Sequence, residues 1–434
     1  MQPKHKTLIF ILILSQSTLF SQTLYQLQAA IDTALLHNLG LMIDRNDAQI
    51  ATNNASKGNA GMLPRVDFNA GTSVSDNFLN QKFSTGTEIK RNGVFSRNLN
   101  GQILMNWTLY DGKKMFVTLE KLQLLKKMSE TDIQLKTEEI VFSVTNAYND
   151  IVRQKLIERG LKKNVNVYEE RVKMADARLK LGKSAKTELL QAEIDYNLQK
   201  NNLLRQQTLL KNAKNKLKIL LFLPYEREIE VADTLLLAPA AILSDLLNRL
   251  ENGNKQLFQL RMTEQQRLLE IREQEAQLLP KVNLNAGYNF TNTASSSGLF
   301  LKNQSTGPLL GLTVNWNIYD GKVLKTQIEN SKIRAKNATL AYKETTQNLQ
   351  NNIINAWQRL QDTLELIKIE QATYKIAEEY LYIMTQRFRL NEATILELKD
   401  AQQSNETSLL RLVNTQYEAK TAETELKYLI GNLY

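Results

Sequence analysis

The sequence contains no cysteine and only two histidines, His5 and His37. Without cysteine the chain can form no disulfide and can carry no lipid on an N-terminal cysteine, and the redox compartment stays undetermined. A zinc site or a catalytic triad built on histidine or cysteine is nearly excluded, because the side chains are too few. No glycine-rich phosphate-binding loop is present either. We therefore expect no enzyme and no cofactor, and any energy the protein needs would come from a partner.

Long hydrophobic runs are also scarce. The chain of 434 residues is 42% hydrophobic with a mean hydropathy of -0.36, which is too polar for a bundle of transmembrane helices. The long apolar run at residues 8–14 follows Lys4 and Lys6 and precedes small polar residues near Ser21. This arrangement predicts a secretory signal peptide over residues 1–22. A membrane anchor is the alternative, although the run is about half of the ~20 residues that a spanning helix needs.

The positive charge does not point to nucleic acid. The net charge of +10 arises from 55 Lys and Arg against 45 Asp and Glu. The basic residues are spread along the chain and alternate with glutamates, without a compact basic block carrying interleaved aromatics. Solvated helix faces explain this pattern better, and an export signal argues against a nucleic-acid partner.

The chain is an internal duplication. Pro64 and Pro280 occupy matching Leu-Pro-x-Val motifs 216 residues apart, and Trp107 and Trp316 occupy matching Asn-Trp-x-x-Tyr-Asp-Gly motifs 209 residues apart. The offset of 209 then persists to the end of the second copy. Because the offset changes by seven between the proline and the tryptophan, one copy is longer there, and we expect the difference in an exposed loop.

Each copy begins with strands. Apolar and polar residues alternate over runs of about ten residues, the length of a tilted membrane-spanning strand, which predicts β-hairpins over residues 65–110 and 281–319. Segments 75–98 and 292–307 are rich in Gly, Ser, Asn and Thr, and we expect them to be the hairpin loops. A soluble half-buried sheet is an alternative that the alternation leaves open. Membrane strands would place aromatic residues at the lipid interfaces, and four match: Trp107, Tyr110, Trp316 and Tyr319.

Long helices follow the hairpins, because proline is absent between Pro64 and Pro224 and after Pro308. Their turns are predicted near Gly182 and at Asn391, since asparagine commonly replaces glycine in a left-handed turn. Coiled-coil spacing on the first long helix predicts a packed apolar stripe, which includes Val144, Ala147, Ile151, Val172 and Ala175. Two apolar stripes on the last long helix predict neighbours on two sides, and a rod-like coiled coil is the alternative. One stripe comprises Trp357, Leu360, Leu364 and Ile367, and the other comprises Ile369, Ala372, Ile376 and Ile383. The predicted organisation has two repeats joined by a linker at 222–238. Repeat 1 covers residues 23–221, with an entry helix, a long helix at 113–180 and a return helix at 186–221. Repeat 2 covers residues 239–434, with an entry helix, a long helix at 322–389 and a return helix at 394–431.

Four strands cannot close a membrane barrel, whose smallest natural form has about eight strands. Open strand edges are not viable in lipid, because every backbone group there must be paired. We therefore predict a fold that combines an α-helical coiled-coil barrel with a transmembrane β-barrel, in which each chain supplies four strands to a barrel shared between protomers.

The duplicated motifs, together with Arg178–Ser184 at the first helix turn and Glu188–Ala192 after it, resemble those of the TolC-like outer-membrane efflux family. The resemblance covers nearly the whole mature chain. It implies a homotrimer with a twelve-stranded barrel in the outer membrane and a large periplasmic part, docked by a periplasmic adaptor that connects to an inner-membrane pump. It also implies a periplasmic gate at Glu397 and Asp400. Adaptor docking is placed by the resemblance at the helix turns: Arg178, Leu179, Gly182, Ser184, Arg387, Phe388 and Asn391.

The expected function is a passive exit duct for small molecules in a tripartite efflux system. A duct for type I protein secretion is the alternative that the sequence does not separate from it. A periplasmic or surface coiled-coil structural protein is the alternative from a different class.

Overall fold

The computed structural model describes residues 24–232, 234–238, 242–298 and 300–433. The predicted signal peptide at residues 1–22 therefore lies outside the described residues. Among the described residues, no helix is both long enough and apolar enough to cross a membrane. The elements are β1 (Leu24–Tyr25), α1 (Leu27–His37), α2 (Leu39–Asn54), β2 (Arg65–Lys82), β3 (Glu88–Tyr110), α3 (Lys114–Lys180), α4 (Lys186–Leu220), β4 (Glu230–Val231), α5 (Leu243–Gly253), α6 (Lys255–Ala276), β5 (Lys281–Ser295), β6 (Lys302–Asn315), α7 (Val323–Arg389) and α8 (Ile395–Leu429).

The chain forms two compact units, and α3, α7 and α8 contribute residues to both. The helical unit contains the turns between the long helices, and the sheet unit contains the four long strands. Of the described residues, the helical unit comprises those within 24–38, 140–238 and 359–424, and the sheet unit comprises those within 39–139, 242–358 and 425–433.

The four long strands form one antiparallel sheet in the order β2-β3-β5-β6. Its two faces differ in chemistry, because side chains alternate along each strand. One face carries apolar rows; Phe68 pairs with Ile103, which pairs with Tyr288. The other face carries amides and hydroxyls; Asn69, for example, pairs with Gln102. The outer edges of β2 and β6 have no strand partner among the described residues.

The predicted ranges of the two hairpin loops, residues 75–98 and 292–307, are wrong because the strands extend into them. Most of segment 75–98 is strand, and β2 and β3 pair from Arg65 with Asn106 to Lys82 with Glu88, across a short turn at residues 83–87. Segment 292–307 likewise belongs mostly to β5 and β6. The reason is that main-chain pairing requires no hydrophobic side chains, so Ser, Thr and Asn continue the ladder.

The length difference between the two hairpins lies in strands, not in a loop as expected. Strands β2 and β3 have 18 and 23 residues, whereas β5 and β6 have 15 and 14. The first hairpin therefore extends beyond the end of the second hairpin, because β3 continues past Ser96, the last residue that pairs with β5. A second difference is at the other end, where β6 ends at Asn315 and Trp316 and Tyr319 lie just past it, while Trp107 and Tyr110 are still within β3.

A tight turn connects each hairpin to its long helix. Gly112 and Lys113 both have positive φ, at 71° and 70°, and the matching Gly321 and Lys322 have 70° and 72°. The carboxylate of Asp111 accepts hydrogen bonds from the amide of Met115, which satisfies a free donor in the first turn of α3. The two glycines differ in surroundings. A Cβ on Gly112 would lie 2.3 Å from the carbonyl oxygen of Ala276, whereas one on Gly321 would meet nothing within 4 Å.

In the helical unit, the predicted stripe on α3 is buried. Val144, Ile151 and Ala175 are at most 1% exposed. Gly160 continues this surface, because a Cβ there would overlap the side chain of Leu409. The second apolar stripe predicted on α7 behaves differently: Ile369, Ile376 and Ile383 are exposed within the chain.

The linker between the repeats contains a short strand that the sequence did not predict. β4 pairs in parallel with β1, and Tyr148 of α3 fixes the pair. Its hydroxyl donates to the carbonyl oxygen of Tyr25 at 3.0 Å and accepts from the amide of Ala232 at 3.1 Å. Lys155 adds an ion pair with Glu230 at 3.1 Å.

Candidate functional site

The turns between the long helices have the same backbone conformation in both repeats. Gly182 has a φ of 68° and Asn391 a φ of 64°, so the predicted left-handed asparagine is confirmed. In each turn the amide after the left-handed residue closes a loop; Lys183 donates to the carbonyl of Arg178 at 2.9 Å and Glu392 to that of Arg387 at 2.8 Å. Both helix ends therefore have their last carbonyls satisfied by the same capping motif.

Two of the predicted docking residues, Arg178 and Phe388, face each other. The guanidinium of Arg178 lies 4.0 Å from the centre of the Phe388 ring and donates a hydrogen bond to the Phe388 carbonyl. Phe388 is fully buried, and it packs with Met384 and Leu398. These contacts connect the two turns within one chain, so Phe388 belongs to the core of the turn and is not available to a partner.

The other predicted docking residues are partly accessible. Gly182, Arg387 and Asn391 are exposed, and the guanidinium of Arg387 donates to the carbonyl of Glu392 at 2.9 Å. Leu179 is half-buried. The hydroxyl of Ser184 is buried, and among the described residues it has no hydrogen-bond partner.

Two leucines that the prediction did not include are the most exposed apolar side chains of the turns. Leu181 is 69% exposed and Leu390 is 68% exposed. They occupy matching positions in the two repeats, each directly before the left-handed residue. That repetition next to Gly182 and Asn391 is the sequence signal that could have identified them.

The two predicted gate residues have different surroundings. Glu397 forms a capping box at the start of α8: its carboxylate accepts from the amide of Thr394 at 2.7 Å, and its own amide donates to the Thr394 hydroxyl at 3.3 Å. These bonds from Thr394, first from its backbone amide and then from its side chain, lower the pKa of Glu397 below its ordinary value of 4.5. Asp400 is exposed and forms no ion pair with a described residue. The pattern Thr-x-x-Glu at residues 394–397 is the sequence signal for the cap.

A buried charge cluster, which the sequence analysis did not find, lies near the turns. Arg171 of α3 is 1% exposed, and its guanidinium donates to Asp195 of α4 at 3.0 Å and to Gln402 of α8 at 3.1 Å. Lys399 donates to the second carboxylate oxygen of Asp195 at 3.0 Å, and Gln191 donates to the same oxygen. Three helices are thereby held together by one carboxylate and one guanidinium.

A cavity of about 330 Å³ adjoins this cluster. It is lined by polar side chains, among them Gln199, which donates to the carboxylate of Glu406 at 3.0 Å. Burial raises the pKa of Glu406 above its ordinary value and raises that of Tyr168 to about 12. Among the described residues, no three His, Cys, Asp or Glu side chains are grouped so as to hold a metal ion. The arrangement provides packing and hydrogen bonds between the helices.

The aromatic residues at the strand ends make matching contacts in the two repeats. The indole of Trp107 donates to the carbonyl of Met62 at 3.0 Å, and that of Trp316 donates to the carbonyl of Leu278 at 3.0 Å. In each case the acceptor lies two residues before the proline that precedes the first strand. Each tryptophan therefore fastens the end of its hairpin to the entry segment of the same repeat.

The family model described as outer membrane efflux protein matches residues 30–221 and 246–432, which is most of the chain. The chain belongs to the outer membrane efflux protein family. The predicted family, the outer-membrane location and the function as an outer-membrane efflux channel are thereby confirmed. Membership in a channel family also agrees with the expectation of a protein that is not an enzyme.

Known relatives of this efflux protein are distant in sequence. Outer membrane protein TolC of Salmonella enteritidis is 20% identical over 410 residues, which cover 92% of this chain and 80% of the relative. The outer membrane channel CmeC of Campylobacter jejuni superposes with a TM-score of 0.78 at 17% identity, covering 94% of this chain and 86% of CmeC. VceC of Vibrio cholerae gives 0.75 at 19% identity, covering 93% and 96%. The predicted fold class is confirmed by these structures.

Proposed function

We propose that this efflux protein is a passive exit duct for small molecules, formed by a homotrimer. The observation that carries the proposal is the open four-stranded sheet, whose outer strands β2 and β6 each have one edge without a strand partner among the described residues. Long unpaired edges in lipid are not viable, so neighbouring chains must complete the barrel. Three chains give the twelve strands that the family resemblance implies.

The chemistry of the two sheet faces supports a water-filled lumen. The apolar face carries exposed side chains such as Val66, Phe68 and Leu312, which suit lipid contact. The opposite face carries amides and hydroxyls, including Asn69, Gln102 and their neighbours along the rows. A barrel with this face inward would conduct polar solutes.

The exposed stripe on α7 supports the same assembly. Ile376 is 67% exposed and Ile369 is 60% exposed, although both lie on a helix whose other stripe is buried. An exposed apolar stripe is removed from water when a second chain packs against it. We therefore assign this stripe to the contact between protomers.

We assign the helix turns to an adaptor protein that connects the duct to an inner-membrane pump. The support is the pair of exposed leucines, Leu181 and Leu390, presented by two turns of the same conformation. Exposed Gly182 and Asn391 let a partner approach the backbone closely. Trp107, Tyr110, Trp316 and Tyr319 are assigned to the membrane interface at the helix end of the strands.

For the periplasmic gate we assign the larger role to Asp400. Its carboxylate is exposed and without an ion pair in the described chain, whereas Glu397 is engaged by Thr394 in the helix cap. Aspartates from three chains around one axis would form a ring of negative charge that attracts and retains cations.

Planar lipid bilayers and chemical cross-linking of the full-length protein test the proposal. We expect discrete current steps and a cross-linked product of three chains. Ile376→Glu should reduce the trimer several-fold, while the matched control Gln371→Glu, an exposed residue on the same helix, should not. Asp400→Asn should weaken cation block of the current more than Glu397→Gln does. A protein that gives no conductance, or one that cross-links only as a monomer, would contradict the duct.

A further inference from the structure

Two basic residues lie in one row on the apolar face of the sheet. The register pairs Val74 with Arg97, Arg97 with Ala294, and Ala294 with Lys302. All four side chains therefore project from the same face, and Arg97 and Lys302 are separated by one strand. Adjacent strands lie about 4.8 Å apart, so the two Cα atoms are about 10 Å apart. The long side chains of arginine and lysine can converge on one anion across that distance.

This row lies at the end of the apolar band that is farthest from the helices. Trp107 projects from the same face of β3, ten residues closer to the helices. Ten residues span about 34 Å along a strand, and at a tilt of about 40° this corresponds to about 26 Å across the membrane, close to the ~25 Å height of an apolar band. Phe95 projects one row beyond Arg97 and is exposed. An aromatic residue there is typical of a membrane interface, so the row lies at the level of the lipid head groups.

In the part of the chain that the structure describes, no ion pair balances the positive charge of the row. Arg97 and Lys302 are exposed, and neither forms an ion pair among the described residues. The second hairpin, residues 281–319, contains no Asp or Glu. On the first hairpin Asp76 projects from the same face one row farther out, paired with Phe95, and forms no ion pair with Arg97. Two other bases of the first hairpin do have carboxylate partners: Arg65 pairs with Asp67 and Lys90 with Glu88, both at 2.8 Å.

The hairpin turns lie at the end of the strands opposite to the helices, so in an outer-membrane channel with a periplasmic helical part they face the exterior. We propose that Arg97 and Lys302 bind the phosphate group of an anionic lipid in the outer leaflet. The proposal rests on the membrane barrel argued above. Lipid is the ligand, and not a free anion, because Val74 and Ala294 share the row with the two bases and Leu99 lies one row closer to the helices on the same apolar face, where acyl chains can lie.

Native mass spectrometry of the full-length protein in detergent tests the site, with phosphatidylglycerol and phosphatidylcholine as probes at equal mole fraction. Each basic residue near an anionic lipid surface contributes enough for about a fivefold change in affinity, so Arg97→Gln with Lys302→Gln should weaken phosphatidylglycerol binding about 30-fold. Binding of phosphatidylcholine should be unchanged. The control, Lys281→Gln with Lys325→Gln, removes the same charge at the helix end of the sheet and should change phosphatidylglycerol binding by less than about twofold.

Equal phosphatidylglycerol affinity of the double variant and the unaltered protein would overturn the site, as would an equal loss in the control. Displacement of the lipid by inorganic phosphate at matched concentration would show a site for free anions and would also overturn it. Bilayer conductance separates this inference from the proposed function. A double variant with normal current steps and unchanged lipid binding refutes the lipid site alone, whereas an unaltered protein without conductance refutes the duct.

Discussion

Replacing Asp195 with asparagine should destabilise the helical unit more than replacing Asp195 and Arg171 together. The substitution keeps the shape of the side chain but removes its charge, which leaves the guanidinium of Arg171 buried without a carboxylate. Arg171→Met combined with Asp195→Asn removes both charges and keeps most of the volume. The comparison separates the free-energy cost of an unpaired buried charge from the net contribution of the ion pair to the free energy of unfolding.

The surroundings of Asp195 determine how much free energy of unfolding each variant should lose. Breaking a buried ion pair by removing one partner costs about 3–5 kcal/mol, whereas replacing both partners with uncharged groups is often close to neutral. Gln402 still accepts from Arg171 in the single variant, and the Lys399 ammonium, with its side chain 38% exposed, can be hydrated. We therefore expect Asp195→Asn to lower the free energy of unfolding by about 3 kcal/mol and the double variant to lower it by about 1 kcal/mol, so that adding Arg171→Met to Asp195→Asn restores about 2 kcal/mol.

Circular dichroism at the helical minimum, followed during denaturant unfolding in detergent, measures these differences. The single variants Asp195→Asn and Arg171→Met and the double variant complete a double-mutant cycle. A coupling below about 0.5 kcal/mol would show that the two charges act independently and would refute the reasoning. A matched control is Glu370→Gln, which removes one partner of the more exposed ion pair with Arg411 and should cost less than about 1 kcal/mol.

Two further predictions concern the cap and the strand-to-helix turn. The pKa of Glu397 is lowered in the folded protein, so its contribution to stability is complete above the unfolded pKa and is lost as the pH falls through the folded pKa. Amide hydrogen-exchange rates in the first turn of α8, corrected for intrinsic exchange, should rise on acidification in the unaltered protein. In Glu397→Gln the corrected rates should not depend on pH. Equal pH dependence in the two proteins would contradict the role of Glu397 in the helix cap. Gly112→Ala and Gly321→Ala impose the same backbone strain of about 1–2 kcal/mol, because both positions have positive φ. Only the Cβ of Gly112→Ala overlaps a backbone carbonyl, so this variant should be at least about 1 kcal/mol more destabilising in the same denaturant assay. Equal destabilisation by the two variants would refute this reasoning.

Features determined by local sequence could be predicted. The left-handed conformation of Asn391 follows from a turn signal between two proline-free segments, and the buried stripe through Val144 and Ile151 follows from helical spacing. The strand alternation identified both faces of the sheet. The extent of the strands could not be predicted, because the polar residues after Val74 satisfy backbone pairing as well as apolar ones do.

Features that depend on distant residues could not be predicted. Arg171, Asp195 and Gln402 lie in three different helices, and nothing in the spacing of the sequence brings them together. The burial of Phe388 has the same cause: its ring is covered by Arg178 from the other turn, so a residue expected at a docking surface is part of the core. Family resemblance locates a turn in the chain, but packing determines which side chains of the turn are exposed.

The comparison of the two repeats separates backbone requirements from side-chain contacts. After the hairpins, positions with positive φ match across the offset of 209, as Gly182 does with Asn391, because each repeat makes the same turns there. The contacts do not match. Tyr380 stands where the first repeat has Arg171, and Ser404 stands where it has Asp195, so the buried ion pair of the cluster comes from the first repeat alone. The second repeat instead has the capping box that begins at Thr394. A duplicated chain thus keeps the turns that its backbone requires, while each copy acquires its own side-chain contacts.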